Sequence, residues 1–73
     1  MFSRKDRKMP DFQISLAAAR INAGLTQEEV ARALRVKTET VVNWETGDAE
    51  PEISQGRELS TLFKIPLEYI FFA

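Results

Sequence analysis

From residue 37 to residue 47 the chain reads Lys37-Thr38-Glu39-Thr40-Val41-Val42-Asn43-Trp44-Glu45-Thr46-Gly47. Wound as a helix, this stretch presents Thr38, Glu39, Val42 and Asn43 outward while Val41 and Trp44 face in. The outward groups are a hydroxyl, a carboxylate, a pair of methyls and a carboxamide. Their chemistry is hydrogen bonding and apolar contact. An asparagine can pair bidentately with adenine N6/N7. An ionised glutamate only accepts, so cytosine N4 is its natural base, and a valine can pack on a thymine methyl. Each is otherwise a solvated surface residue. A short helix held out on a compact scaffold is a shape that can enter the major groove of DNA.

The elements that would hold this helix out can be read on either side of it. Gly24-Leu25-Thr26-Gln27-Glu28-Glu29-Val30-Ala31 precedes it. Thr26 with Glu29 three residues on is a capping box, which starts a helix over 26–34 with Val30, Ala31 and Leu34 on one face. Arg35-Val36 makes the turn, and the outward-facing helix spans 37–45. Ahead of them a first helix near 13–23 is expected, capped by Asp11 or Ser15 and stopped by Gly24. Its apolar set includes Ile14, Leu16, Ala17, Ala18 and Ile21. Behind them Pro51 opens a helix over 52–63, whose inner face is Ile53, Leu59, Leu62 and Phe63. Gly56 inside it either admits a close neighbour or weakens the helix. Pro66 suits the first position of a last helix over 66–70. The expected fold is all-α, a compact five-helix domain.

Size and composition narrow the function. Seventy-three residues allow one domain with a thin core, since a chain this short buries only about 60% of its unfolded surface. With no cysteine and no histidine, disulfides, thiolate nucleophiles, imidazole bases and nearly all zinc chemistry are removed. There is no paired-carboxylate pocket and no glycine-rich phosphate loop, so an enzyme is not expected, nor a cofactor, a metal or a small-molecule ligand. No apolar run is long enough to span a membrane, and the amino end lacks the apolar core of a secretory signal. A cytoplasmic protein is expected.

Net charge is −1, unusual for a small DNA binder, but it is unevenly placed. Residues 1–8 carry four basic groups and one acid, or +3; residues 9–73 carry six basic groups and ten acids, or −4. The expected organisation is a flexible basic arm over 1–10 and a domain over 11–73. Arg4 and Lys5 have the right sign for phosphate, although the arm is equally readable as a solvated start. At the other end Leu67-Glu68-Tyr69-Ile70-Phe71-Phe72-Ala73 is strongly apolar. Either Leu67 and Ile70 close the core with the phenylalanines draped over it, or the tail, with Tyr69, Ile70, Phe71 and Phe72, is a homodimer contact.

Residues 14–70 resemble the lambda-repressor-like, Cro/C1-type (XRE) helix-turn-helix domain. The resemblance is carried by Arg20, by Gly24 through Ala31, by Val36, Val41 and Trp44-Glu45-Thr46-Gly47, by Pro51, and by Phe63-Lys64-Ile65-Pro66-Leu67-Glu68-Tyr69-Ile70. It covers nearly the whole domain, at the size of a small phage-type repressor or Cro-like protein with no appended ligand or protease domain. The resemblance implies a double-stranded DNA partner. It places Thr38 and Glu39 at early base-reading positions and Asn43 at the later one, with Val42 beside them. It also implies that Gln27 donates to a phosphate and reaches a side chain of the reading helix. Thr26, Lys37, Thr40 and Thr46 fall at positions close to the DNA backbone. Arg20 and Glu45 match a pair that locks the reading helix to helix one, and Trp44 is core.

The chain departs from the pattern twice. Lys37 stands where a serine or threonine often caps the reading helix; lysine has no acceptor to offer there. After Gly47, where family members place phosphate-gripping cations, the loop reads Asp48-Ala49-Glu50-Pro51-Glu52. The arm, Lys37, Arg35 and backbone N–H groups must then compensate. The expected function is a sequence-specific regulator of transcription, a repressor by resemblance. The alternative is a non-enzymatic protein-interaction module on the same scaffold, binding another regulator or a polymerase subunit.

Overall fold

A computed structural model describes residues 13–71, with only the backbone of Phe71. The order along the chain is strand β1 (Ile14–Ser15), helices α1 (Leu16–Asn22), α2 (Gln27–Leu34), α3 (Thr38–Thr46) and α4 (Ile53–Phe63), a single 3-10 turn (Leu67–Tyr69) and strand β2 (Ile70–Phe71). The all-α expectation holds.

Three details differ from the sequence reading. Helix α1 starts at Leu16 rather than near 13, because Ile14–Ser15 is extended and pairs in parallel with β2, Ile14 opposite Ile70 and Ser15 opposite Phe71. Ser15 is the cap: its hydroxyl oxygen accepts from the Ala18 N–H at 3.1 Å. Asp11, the other candidate cap, lies outside the described residues. The fifth helix shrinks to one 3-10 turn, with Pro66 extended (ψ 140°) just before it rather than inside it. Three expected core residues are exposed, Ala18, Ile21 and Ile53. At about 100° per residue, Ile21 falls roughly opposite Leu16 and Ala19, the buried pair of α1. Ile53 is the first residue of α4 and lies to the side of its buried stripe, Gly56, Leu59 and Phe63.

The other caps behave as read. Thr26 accepts from the Glu29 N–H at 3.0 Å while the Glu29 carboxylate accepts from the Thr26 N–H at 2.8 Å. Gly47 ends α3 with φ 89°, a left-handed conformation that only glycine adopts freely. The Asn43 carbonyl gathers the N–H groups of Gly47 and Asp48 at 3.0 and 2.9 Å. Helices α2 and α4 end differently. Arg35 (φ 61°) and Lys64 (φ 59°) take the left-handed position without being glycine.

All four helices and the tail meet on one core. Leu16 and Ala19 come from α1, Val30, Ala31 and Leu34 from α2, Val41 and Trp44 from α3, Leu59 and Phe63 from α4, and Ile70 from β2. Ile14, Leu25, Val36, Leu62 and Ile65 pack around them. Gly56 is buried where α4 meets the last turn; a Cβ there would stand 3.3 Å from a Leu67 methyl. The close approach, rather than weakness, is its reason. Ile70 closes the core, so among the two readings of the tail this residue is not left for a partner.

A non-glycine residue in the left-handed region costs roughly 1–2 kcal/mol, partly offset by the greater freedom glycine has when unfolded. Lys64→Gly is expected to raise stability by about 0.5–1 kcal/mol, measured by urea unfolding; a loss of stability would show that the Lys64 side chain holds the end of α4.

Candidate nucleic-acid interface

Helix α3 is fastened from within by packing and by one charge cluster. Val41 and Trp44 are buried. One residue before the C-terminal end, the Glu45 carboxylate accepts from Arg20 Nε at 2.7 Å and more weakly from Arg20 Nη2 at 3.4 Å. Gln27 Nε2 donates to the same carboxylate at 3.0 Å. Arg20 Nη1 also donates to the Leu25 carbonyl at 3.0 Å. One carboxylate therefore ties α1, the α1–α2 turn, the start of α2 and the end of α3 together. The Arg20 and Glu45 side chains are only 15% and 8% exposed, so the ion pair is screened far less than a surface pair. The expected Arg20–Glu45 pair is present, and the Gln27 amide reaches the reading helix as expected, through Glu45.

Other polar side chains of α3 carry no such ties. Thr38, Glu39, Thr40 and Asn43 make no side-chain hydrogen bond or ion pair among the described residues. Glu39 and Lys37 are exposed; Thr38, Thr40, Val42 and Asn43 are half-buried. These groups form one surface with polar atoms accessible, since no buried side-chain nitrogen or oxygen lacks a partner among the described residues. Lys37 occupies the cap position of α3 and makes no side-chain capping bond, and Thr38 does not replace it.

The backbone candidates divide between the two ends of α3. Gln27 and Thr26 stand at the C-terminal end, where Gln27 meets Glu45. The Thr26 oxygen is engaged as an acceptor in the capping box, which leaves its hydroxyl proton for a phosphate. Gln27 likewise keeps its second amide proton. Lys37 stands at the other end. Thr46 is more occupied than the sequence suggested: its hydroxyl lies 3.2 Å from the Asn43 carbonyl and 3.0 Å from the Asp48 carboxylate, and its one proton serves either. The spacing Thr46-x-Asp48 was the available signal for that contact. Arg4 and Lys5 lie outside the described residues. The acidic loop is exposed at Asp48, Glu50 and Glu52, as the charge pattern required.

Removing one partner of this cluster leaves a poorly solvated charge and stray donors, which costs more than the pair itself contributes. Glu45→Ala and Arg20→Ala should each lower stability by about 2–3 kcal/mol, and the double variant should cost much less than their sum. A double-mutant cycle in urea checks this; additive losses would show that the two side chains act independently.

Comparisons with curated proteins and with solved structures gave no significant match. Among family models, the helix-turn-helix model matches residues 16–70, which is α1 through the first residue of β2. The match spans the charge cluster, the turn at Arg35-Val36 and the whole of α3, and on that basis the chain belongs to the Cro/C1-type (XRE) helix-turn-helix family of DNA-binding domains.

Proposed function

We propose that this protein is a sequence-specific regulator that binds double-stranded DNA, reads the major groove with α3 and acts as a repressor. The observation that carries the reading is the division of the α3 side chains into two sets. One is held by packing at Val41 and Trp44 and by the Arg20–Glu45–Gln27 cluster. The other, Thr38, Glu39, Val42 and Asn43, has no polar partner among the described residues. A helix fixed in orientation with its hydrogen-bonding groups left over is suited to a ligand that supplies ordered donors and acceptors, which base edges do.

In this reading Thr38, Glu39, Val42 and Asn43 face bases, while Thr26, Gln27, Lys37, Thr40, Thr46 and the arm residues Arg4 and Lys5 face phosphates. Phosphate contacts set register and orientation; base contacts carry the sequence. A single domain presents one short reading helix, so we infer a homodimer on two half-sites about one helical turn apart. The dimer contact is placed in the carboxyl-terminal region, without Ile70, whose side chain is used in the core.

One observation favours a second reading. Asp48, Glu50 and Glu52 are exposed beside α3 and repel phosphate. A module that docks on a basic protein surface would carry such a loop. Titrating a duplex over a range of salt separates the two: a DNA binder loses affinity steeply as salt rises, and a protein-docking module forms no duplex complex.

Selection from a random DNA pool would define the operator. On it, Asn43→Ala should cost about 1–3 kcal/mol and relax discrimination at one position, while a random duplex is bound as before. Lys37→Ala should weaken both duplexes alike and lower the salt slope by about one unit. Equal losses on both duplexes for Asn43→Ala would remove it from base reading. Self-association is checked by sedimentation of the chain without residues 72–73. Weaker association is expected; an unchanged dimer would place the contact elsewhere.

A further inference from the structure

Charge is arranged asymmetrically along α3. The acids Asp48, Glu50 and Glu52 lie past its C-terminal end, and Glu28 is exposed beside Gln27 at that same end. At its N-terminal end the stretch from Arg32 to Lys37 contains three cations and no acid. Arg32, Arg35 and Lys37 are all exposed, and none has an ion pair or hydrogen-bond partner for its side chain among the described residues. The other described cations are elsewhere: Arg20 is tied to Glu45, Arg57 lines an open groove between α2 and α4, and Lys64 ends α4.

The cationic turn is assembled against the interests of the fold. Arg35 sits at φ 61°, where glycine would be free of strain. Arg32 in the last turn of α2 and Arg35 at its cap are three residues apart in the chain, and like charges brought that close repel. The favourable field at a helix C-terminus accounts for one cation in that position, as at Lys64. It does not account for a second and third beside the first, none of them in an ion pair among the described residues, although Glu28 and Glu29 stand four and three residues before Arg32 on α2 and Glu39 two residues after Lys37.

Resting on the DNA-binding reading, we propose that Arg32 and Arg35 form, with Lys37, a phosphate clamp at the N-terminal end of α3. The clamp supplies the backbone grip that the acidic loop does not. A guanidinium holds phosphate oxygens through paired N–H groups, and two of them, exposed in the last turn of α2 and at its cap, stand just ahead of α3 in the chain. The two ends of α3 then hold DNA by different means. Neutral groups of Thr26 and Gln27 serve the acidic end, and cations serve the turn.

Arg35→Gly is the discriminating variant, because strain relief and lost grip act in opposite directions. Its melting temperature should equal or exceed that of the unmodified chain. Its salt slope on a random duplex of roughly 20 base pairs should fall by about one unit. Arg32→Ala, a surface change to the best helix former, should lower the slope by about one more in combination and decides the matter if Arg35→Gly proves unstable. Arg57→Ala removes the same charge from the α2–α4 groove and should leave the slope unchanged. The clamp is overturned if the Arg32 and Arg35 variants keep the original slope, or if Arg57→Ala lowers it equally, since bulk charge would then be the cause. If the unmodified chain binds no duplex at any salt, the DNA-binding reading fails and the clamp with it.

Discussion

The Glu45 carboxylate is the constraint on which the rest of this small domain leans. It accepts from Arg20 on α1 and from Gln27 on α2 while belonging to α3. Three helices are thereby referred to one point. Hydrophobic packing holds them together but is tolerant of small slides and rotations. A carboxylate with a 2.7 Å ion pair on one side and a 3.0 Å amide on the other is not tolerant in the same way. The cluster sets the rotation of α3 about its own axis, and so decides which residues are presented outward.

The same arrangement divides the side chains of α3. Val41, Trp44 and Glu45 are packed or tied, and Thr38, Glu39, Val42 and Asn43 are left without a polar partner among the described residues. Of the second set Glu39 is the exposed member and so the one freest to vary without loosening the fold. Surface substitutions of this kind usually change stability by no more than about 0.5 kcal/mol. The acidic loop and the cationic turn are likewise outside the core, so charge at the interface is adjustable on its own.

Much of this was legible from residue types. The capping box at Thr26 and Glu29 and the stop at Gly47 act locally, and local hydrogen bonding decides them whatever the rest of the chain does. The inward pair Val41 and Trp44 follows from helical spacing alone. What was not legible depended on contacts distant in sequence. Ile14 read as part of the first helix and Ser15 only as its candidate cap, yet each pairs with a residue 56 positions away. Ile21 and Ile53 are apolar, but among the described residues both stand exposed. Gly56 was ambiguous until Leu67 was placed against it. The left-handed backbone at Arg35 gave no sign in composition, because arginine carries no preference for it.

The parallel pairing of β1 with β2 has a consequence for how the chain comes to be folded. It joins the first described element to the last, and Ile70 seals the core beside it. Contacts so far apart in sequence form late, because the intervening loop must be closed first. During synthesis α2 and α3 can associate as soon as they emerge, since they are neighbours along the chain. The segment ahead of α1 has no pairing partner until residue 70 has been made and released. Until then the residues that β2 will cover remain open to water, and the finished surface of the domain exists only once translation has passed its end.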